Sequence, residues 1–336
     1  MENGIKDKFT IIIDAMGGDF APEEIIKGVL LDIKELPVSL VFIGKEDKIK
    51  NAASQNNLNL NNVKIVNSYS EVSMDESPSG VLKHKKDSSI YIGTQIASNT
   101  MNSAFLSAGN TGAIMACSLF NLKKIEGVFR PALAVVIPLV EKRIVLIDAG
   151  ANIEVKPVYL KQFAIMGKIY CENIIKVKNP KIGLINVGTE EKKGNEILIE
   201  AYNLLKNSNL NFIGNIEGRD IFEGIADVVV CDGFTGNVLI KSIEGIAKLF
   251  FSEIRKALTS NFFTKILSLG LKNNLKIMKK KFDYEEIGGA LLLGVNGITI
   301  KSHGSSKAKA ISNALKVAYD SIKCNIINKI REEIKN

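Results

Sequence analysis

The chain has 336 residues, enough for two ordinary domains or one large α/β domain, and its 46% hydrophobic and 24% charged residues are typical of a globular protein. Aromatic residues make up only 7% and Trp is absent, which argues against nucleic-acid binding through base stacking. The net charge of +8 favours an acidic partner or an anionic membrane surface, although a Lys-rich surface that only maintains solubility has the same signature.

Nine short apolar or β-branched runs, each bounded by turn residues, predict strands. They are Phe9–Ile13, Val38–Ile43, Val63–Val66, Ala104–Leu106, Ala132–Ile137, Ile144–Ile147, Lys181–Ile185, Leu210–Ile213 and Val228–Cys231. Helical patterns lie between many of them, at Glu23–Leu36, Ile114–Leu122, Val158–Val177, Glu196–Lys206 and Val238–Leu258. We therefore predict a three-layer α/β/α fold around a largely parallel sheet, as a single domain over residues 1–336, because no linker divides the chain.

The C-terminal third contains two further helical patterns. One long helix is predicted from about Ser306 to Lys335, with a buried face at Ile311, Leu315, Ala318, Ile322, Ile326 and Ile330. At about 250–282 a protruding amphipathic segment is predicted, with lysines around an apolar stripe made of Leu258, Phe262, Phe263, Ile266 and Leu269. A basic amphipathic stretch suits contact with an anionic membrane, a dimer interface or both together, and ordinary core packing stays open as the third alternative.

The cysteines and the N-terminus predict the compartment. The four cysteines are widely scattered, with no CxxC spacing and no neighbouring His, which is typical of free thiols in a reducing compartment. The polar first eight residues predict no secretory signal, and no apolar run reaches the roughly 18 residues that a spanning helix needs. We expect a cytoplasmic protein without a metal site.

Five loops share one composition, Gly together with Asn, Asp, Ser or Thr, and four of them directly follow a predicted strand. They are Asp14–Asp19, Ser107–Ala113, Asp148–Asn152, Asn186–Gly194 and Asp232–Asn237. In a parallel α/β sheet such loops gather at the carboxyl ends of the strands, where ligands bind. We therefore expect one composite site for an anionic substrate.

The charges at the helix starts rank these loops, because a helix N-terminus presents free N–H groups and a partial positive charge. The helix after the first loop opens with Glu23 and Glu24, which neutralise that field. The helices after Ser107–Gly112 and Gly233–Asn237 have no acid in their first turn. We expect these two loops to be the better anion cradles.

Positive charge near the loops comes from Lys193 in the fourth loop and from Lys241, one turn after the fifth. His303 stands in a polar Ser/Gly context before the last helix and is a candidate donor, whereas the lysines around His84 would lower its pKa and make it a poorer base. The chain lacks GxGxxG, GxxxxGK[ST], GxSxG and HExxH motifs. Without an obvious nucleophile, direct displacement on a bound substrate fits better than a covalent enzyme intermediate.

Taken in order, these motifs resemble those of the bacterial phosphate acyltransferase (PlsX) family. The resemblance runs from about residue 9 to 320, and Leu291 stands where the family usually has Pro, in an expected turn or helix start. The motifs are Asp14–Asp19, Ser107–Gly112, Arg130–Ala134, Asp148–Asn152, Asn186–Gly188 with Lys193 and Gly194, Asp232–Asn237, Gly288–Ala290, Leu292–Gly297 and Ser302–Ser305.

The resemblance implies transfer of a long acyl chain from acyl carrier protein to inorganic phosphate, giving acyl phosphate for phospholipid synthesis. It also implies a homodimer, a fold similar to phosphotransacetylase and isopropylmalate dehydrogenase, and peripheral contact with the inner face of the cytoplasmic membrane. The downstream glycerol-3-phosphate acyltransferase is a further expected partner; we expect no cofactor and no nucleic acid.

The roles of single residues are inferred from the loops. We expect backbone N–H groups at Gly109–Gly112 and Gly236–Asn237, with Lys193 and Lys241, to hold phosphate, and His303 or Asn110 to donate to the thioester oxyanion. Two alternatives remain: an NAD-dependent dehydrogenase on a related fold, and a non-catalytic membrane or carrier-protein adaptor. The other expected substrate contacts are Gly17, Gly18, Asp19, Ser107, Gly109, Thr111, Gly112, Asn152, Thr189, Asp232, Thr235 and Gly236.

Overall fold

The structure is a computed structural model that describes residues 9–32, 36–61, 63–281 and 288–335, without the side chains of residues 32, 265–267, 269, 272 and 279–281. Its strands are β1 (Phe9–Asp14), β2 (Val38–Gly44), β3 (Val63–Asn67), β4 (Ser103–Ser107), β5 (Ala132–Pro138), β6 (Arg143–Ile147), β7 (Ile182–Ile185), β8 (Phe212–Ile216), β9 (Val228–Val230), β10 (Ala290–Leu293) and β11 (Ile298–Lys301). These strands form one sheet with the order β3-β2-β1-β4-β11-β10-β5-β6-β9-β7-β8.

Helices cover both faces of this sheet. They are α1 (Glu23–Asp32), α2 (Glu46–Gln55), α3 (Pro78–His84), α4 (Ser89–Ser98), α5 (Thr111–Leu122), α6 (Pro157–Tyr170, continued by a π-helical turn at Cys171–Ile175), α7 (Glu196–Lys206), α8 (Asp220–Glu223), α9 (Gly233–Leu258), α10 (Phe262–Lys281), α11 (Ala308–Lys323) and α12 (Ile326–Lys335). Alternate residues of β1 show the layering: Ile11 and Ile13 face the cluster under α1, α6 and α11, whereas Ile12 faces the cluster under α4 and α5. The predicted three-layer α/β/α class is confirmed.

The sheet is largely parallel within each half, but the two halves run in opposite directions. β1, β2, β3, β4 and β11 are parallel to one another, and β6, β9, β7 and β8 form a second parallel group. Between them, β10 is antiparallel to β11 and β5, and β5 is antiparallel to β6. The five predicted loops therefore do not lie along one edge of a single parallel sheet. Four of them still contribute to one cleft, through Asp19, Thr111 with Gly112, residues 149–151 and Asn237.

The nine predicted strands are all present within a few residues, whereas β10 and β11 were not predicted. Leu291 lies inside β10, paired with Ala134 and Ile300, and not in a turn or helix start as expected. The predicted last helix is two helices, because Asn325 adopts a left-handed conformation (φ 53°) between α11 and α12. Its six predicted apolar positions are nevertheless all buried.

The helices α9 and α10 form the predicted amphipathic segment, but the helical region already begins at Gly233. Phe262 and Phe263, where α10 begins, are 72% and 76% exposed. The side chains of Ile266 and Leu269, like residue 282, lie outside the described residues. Among the described helices, none is long and apolar enough to span a membrane.

Candidate active site

A cleft of about 2100 Å³ lies between the sheet and α9. One wall is the face of β5 with Leu133, Val135 and Ile137, and the facing wall is the inner side of α9 with Ile240, Ile243, Ala247, Phe251, Ile254 and Leu258. A polar region in the same cleft contains Thr111, Gly112, Asn237, Lys241, Glu244, Lys301 and His303. The cavity therefore combines a long apolar surface with a cluster of charged groups.

The loops that follow β1, β4 and β11 interlock into one unit, which we call the first-half loops (Asp14–Asp19, Ser107–Gly112 and Ser302–Ser305). Buried Asp14 accepts a hydrogen bond from Ser107 Oγ at 2.6 Å, and Ser107 Oγ accepts one from the Gly109 N–H at 3.0 Å. Burial raises the pKa of Asp14, and these hydrogen bonds oppose the rise. Asp14 and Ser107 therefore hold the loops together, and the hydroxyl of Ser107 is not directed at a substrate.

Close backbone approach explains two of the glycines in this unit. A Cβ on Gly17 would lie 2.5 Å from Asp14 Oδ2 and 2.7 Å from the Gly109 nitrogen. Gly18 has a φ of +104° and packs against Gly304, whose carbonyl accepts the Asp19 N–H at 2.8 Å. Gly17 thus lets the first loop approach the Ser107–Gly112 loop, and Gly18 lets it approach the loop that carries His303. Of these predicted contacts only Asp19 lines the cleft.

Asn110 is not available as the predicted oxyanion donor. Its Oδ1 accepts the Ala113 N–H and caps α5, at 2.9 Å. Its Nδ2 donates to the carbonyl oxygens of Ser73, Met74 and Glu76 at 2.9–3.1 Å. Because both ends of the buried amide are satisfied by the chain, we assign Asn110 to capping α5 and holding the 73–76 loop.

The second-half loops follow β6, β7 and β9 (Asp148–Asn152, Asn186–Gly194 and Asp232–Asn237), and two of them interlock. Buried Asp148 accepts the N–H groups of Leu133 (2.9 Å) and Asn152 (2.7 Å), as well as Asn152 Nδ2 (2.8 Å). A Cβ on Gly236 would lie 1.9 Å from the Asp148 carbonyl oxygen. Asn152 and Gly236 therefore serve this packing, and of the predicted residues in these two loops only Asn237 lines the cleft.

Asp232 changes the ranking of the two predicted anion cradles. It is the N-cap of α9, where Oδ1 accepts the Thr235 N–H at 2.9 Å and Oδ2 accepts Thr235 Oγ1 at 2.7 Å. A carboxylate at this position offsets the positive end of α9, whereas α5 has a neutral Asn cap. The predicted ranking rested on first-turn acids alone, and the charged cap lies one position before that turn.

The remaining second-half loop lies away from the cleft. β7 is separated from β6 by β9, so its loop lies further out along the sheet. Lys193 is exposed and pairs with Glu190 at 3.7 Å, and neither Lys193 nor Thr189 lines the cleft. The structure thus does not bring these two residues to the predicted phosphate site. The sequence could not show this, because it does not reveal how far each loop lies from the centre of the sheet.

Lys241 and His303 come together across the cleft. Lys241 Nζ lies 3.2 Å from His303 Nε2 and 3.2 Å from Glu244 Oε2. On the other side of the ring, His303 Nδ1 lies 2.8 Å from Ser305 Oγ and 3.3 Å from the Ser305 backbone nitrogen, so Ser305 fixes the ring orientation whichever ring nitrogen carries the proton. Burial, followed by the charges of Lys301 and Lys241, lowers the pKa of His303, so the ring is neutral at pH 7.

Lys301 lines the cleft but was not predicted from the sequence as a site residue. It ends β11, the strand that was not predicted, two positions before His303, and its side chain lines the cleft. Burial, followed by the charge of Lys241, lowers the pKa of Lys301 to about 8. The available signal was the alternation at 298–301, which places Lys301 at the end of a short strand leading into the Ser302–Ser305 loop.

Comparisons with known proteins agree with this architecture. Residues 9–329 match the model of a family described as "Fatty acid synthesis protein". The phosphate acyltransferases of Dictyoglomus turgidum and Dictyoglomus thermophilum are 48% and 47% identical to the chain, over 96% of this chain and 96% of each relative. A solved phosphotransacetylase from Streptococcus pyogenes aligns with a TM-score of 0.64 at 16% identity, covering 95% of both chains, which shows a shared fold.

Proposed function

The chain belongs to the fatty acid synthesis protein family that includes the phosphate acyltransferases, and on this premise we propose that it transfers a fatty acyl group from the thioester of acyl carrier protein to inorganic phosphate. The product is acyl phosphate for phospholipid synthesis. One observation carries the proposal: a single cleft joins a polar cluster suited to phosphate with an apolar wall suited to an acyl chain. The dehydrogenase and adaptor alternatives are set aside, because relatives sharing nearly half of their residues with the chain are named as acyltransferases.

The reaction needs positioning and charge stabilisation more than strong acids or bases. A phosphate oxygen attacks the thioester carbonyl carbon, the carbonyl oxygen takes up negative charge, and the carbon–sulfur bond then breaks as the thiolate leaves. A substantial share of inorganic phosphate is already the dianion near neutral pH, and a thiolate leaves without strong acid assistance. The protein's task is therefore to hold the two substrates together and to stabilise the oxyanion.

Lys241 is placed for the oxyanion. Of its three N–H bonds, one points to His303 and one to Glu244, which leaves one for the carbonyl oxygen of the thioester. In this proposal His303 orients the Lys241 ammonium group, and the hydroxyl and backbone N–H of Ser305 hold the His303 ring in place. This role replaces direct donation by His303.

The apolar wall suits a long acyl chain. β5 contributes seven residues, which at about 3.3 Å per residue give a wall of roughly 20 Å. Lys248, Arg255 and Lys276 lie at the same cleft and supply positive charge for an acidic carrier protein.

Phosphate-dependent release of the carrier thiol tests the proposed function. Purified protein is mixed with palmitoyl-carrier protein, with and without inorganic phosphate, and free thiol is measured together with the hydroxamate formed when hydroxylamine traps acyl phosphate. We expect thiol and hydroxamate to appear together and only with phosphate, and Lys241→Met to reduce both by about a hundredfold. Thiol release that does not depend on phosphate would refute the proposal.

We further propose a homodimer through the outward face of α9. Val238, Ile246 and Leu249 lie on this face and are 49–67% exposed in the isolated chain. Replacing Ile246 and Leu249 with Glu is expected to convert a dimer to a monomer in sedimentation, with Met101→Glu as a matched exposed control. A wild-type monomer, or a double variant that stays dimeric, would contradict this interface.

The tip between α9 and α10 is proposed to contact the inner face of the cell membrane. Phe262 and Phe263 are exposed there, and Arg255 and Lys256 lie in the last turn of α9. The double substitution Phe262→Glu and Phe263→Glu is expected to abolish co-sedimentation with anionic vesicles, whereas Phe120→Glu should leave binding unchanged. Such contact would pass acyl phosphate to a membrane-bound glycerol-3-phosphate acyltransferase; vesicle binding unaffected by the double substitution would disprove it.

A further inference from the structure

The ammonium group of Lys301 has no ion-pair partner among the described residues. It is the last residue of β11, in register with Ser107 on β4 and Ala290 on β10. Its side chain lines the cleft, yet its ammonium makes no hydrogen bond and no ion pair within the described part of the chain. Glu244, the nearby acid, forms its ion pair with Lys241 instead, at 3.2 Å.

An unpaired ammonium group in a largely desolvated position is unfavourable unless a bound anion compensates its charge. Around Lys301, Lys241 and Glu244 compensate each other, and His303 is neutral. The cluster of these four groups therefore keeps one uncompensated positive charge when Lys301 is protonated. This excess lies in the cleft beside the Lys241 ammonium that is assigned to the oxyanion.

We propose that Lys301 is the cation that binds the attacking inorganic phosphate, so that the nucleophile lies beside the carbonyl group held by Lys241. The inference rests on the proposed acyl transfer and deepens it by dividing the two lysines between the two substrates. Lys301 binds the nucleophile, and Lys241 stabilises the charge on the electrophile.

The protonation of Lys301 gives this assignment a pH dependence. Lys241, Glu244 and Lys248 face this region from α9, and His303 faces it from the neighbouring loop. Bound phosphate raises the Lys301 pKa above its free value of about 8, so that phosphate binding takes up a proton at higher pH. Loss of the Lys301 proton above pH 8 therefore weakens phosphate binding, by up to about tenfold per pH unit until the pKa of Lys301 in the complex is reached.

Three variants test the assignment kinetically. Lys301→Met removes the charge and keeps the length, Lys301→Arg keeps the charge, and Lys64→Met is a control on the exposed strand β3. We expect Lys301→Met to raise the KM for phosphate at least tenfold with the KM for acyl-carrier protein within about twofold, Lys301→Arg to restore part of the loss, and Lys64→Met to match the wild type. An unchanged phosphate KM in Lys301→Met, or an equal rise in both KM values, would overturn the inference.

A labelling experiment separates this inference from the proposed function. Without any acyl donor, the wild-type protein is treated at pH 8 with an amine-reactive reagent, with and without inorganic phosphate, and the modification of Lys301 is measured by mass spectrometry. We expect phosphate to slow the modification of Lys301 at least fivefold and to leave that of Lys64 unchanged. Protection in a protein that fails to release thiol would keep the phosphate site and reject the acyl transfer; phosphate-dependent thiol release without protection would reject Lys301 alone.

Discussion

Two loops with the same Gly-x-Thr-Gly pattern begin α5 and α9, and the structure gives them different properties. The N-cap of α5 is the neutral Asn110, whereas the N-cap of α9 is the carboxylate of Asp232. Both helices lack an acid in the first turn, so the sequence ranks them together. The charge of the N-cap, one position before the first turn, makes the start of α5 electrostatically more favourable for an anion than the start of α9.

The two loops also differ in what surrounds them. A Cβ on Gly236 would meet the backbone oxygen of Asp148 at 1.9 Å, but a Cβ on Gly112 would meet only the side-chain Cγ of Pro78 at 2.7 Å. Thr111 and Gly112 line the cleft, whereas Gly236 is buried between two loops. The α9 loop, of which Asn237 lines the cleft, is therefore mainly architectural, and the α5 loop faces the cleft.

The two loops should differ most in how much folding stability is lost when their glycines are replaced. We expect Gly236→Ala to lower the free energy of unfolding by about 4 kcal/mol or more, because two backbone segments must separate. Gly112→Ala should cost about 1–2 kcal/mol, since the Pro78 ring can shift. Urea unfolding of both variants measures the difference; equal losses would show that the two loops are packed alike.

Exchanging the charges of the two N-caps tests which helix start affects the KM for phosphate. Asn110→Asp places a carboxylate at the start of α5 and should raise the KM for phosphate about tenfold. Asp232→Asn keeps a capping oxygen on α9 and should change that KM by less than about twofold. Because Asn110→Asp also loses the bonds to the 73–76 loop, Asn110→Ser is the control with a neutral cap. A larger response to Asp232→Asn would place phosphate at α9 instead.

The smallest expected effect concerns the titration of His303. Burial, followed by the charges of Lys301 and Lys241, lowers its pKa, so Lys241→Met should raise the pKa of His303. The chain has only two histidines, so His84→Gln assigns their NMR signals. A pKa that stays the same or falls in Lys241→Met would contradict the contact between Lys241 and His303.

Local patterns predicted much of the fold and less of the site. The apolar runs located nine strands and the buried face of α11 and α12, because burial follows periodicity. Strand direction depends on the antiparallel β5 and β10. β10 has four apolar residues without alternation, and the alternation at 298–301 covers only the four residues of β11. Lys301 was missed with β11, and the role of Asn110 depends on carbonyl groups 34–37 residues away.

The most direct measurement of the central claim uses phosphate labelled with ¹⁸O at all four oxygens. If phosphate attacks the acyl carbon from its site in the cleft, the acyl phosphate formed from palmitoyl-carrier protein carries four ¹⁸O atoms, as read by mass spectrometry. A free fatty acid containing solvent oxygen as the first product, with no labelled acyl phosphate, would contradict the account.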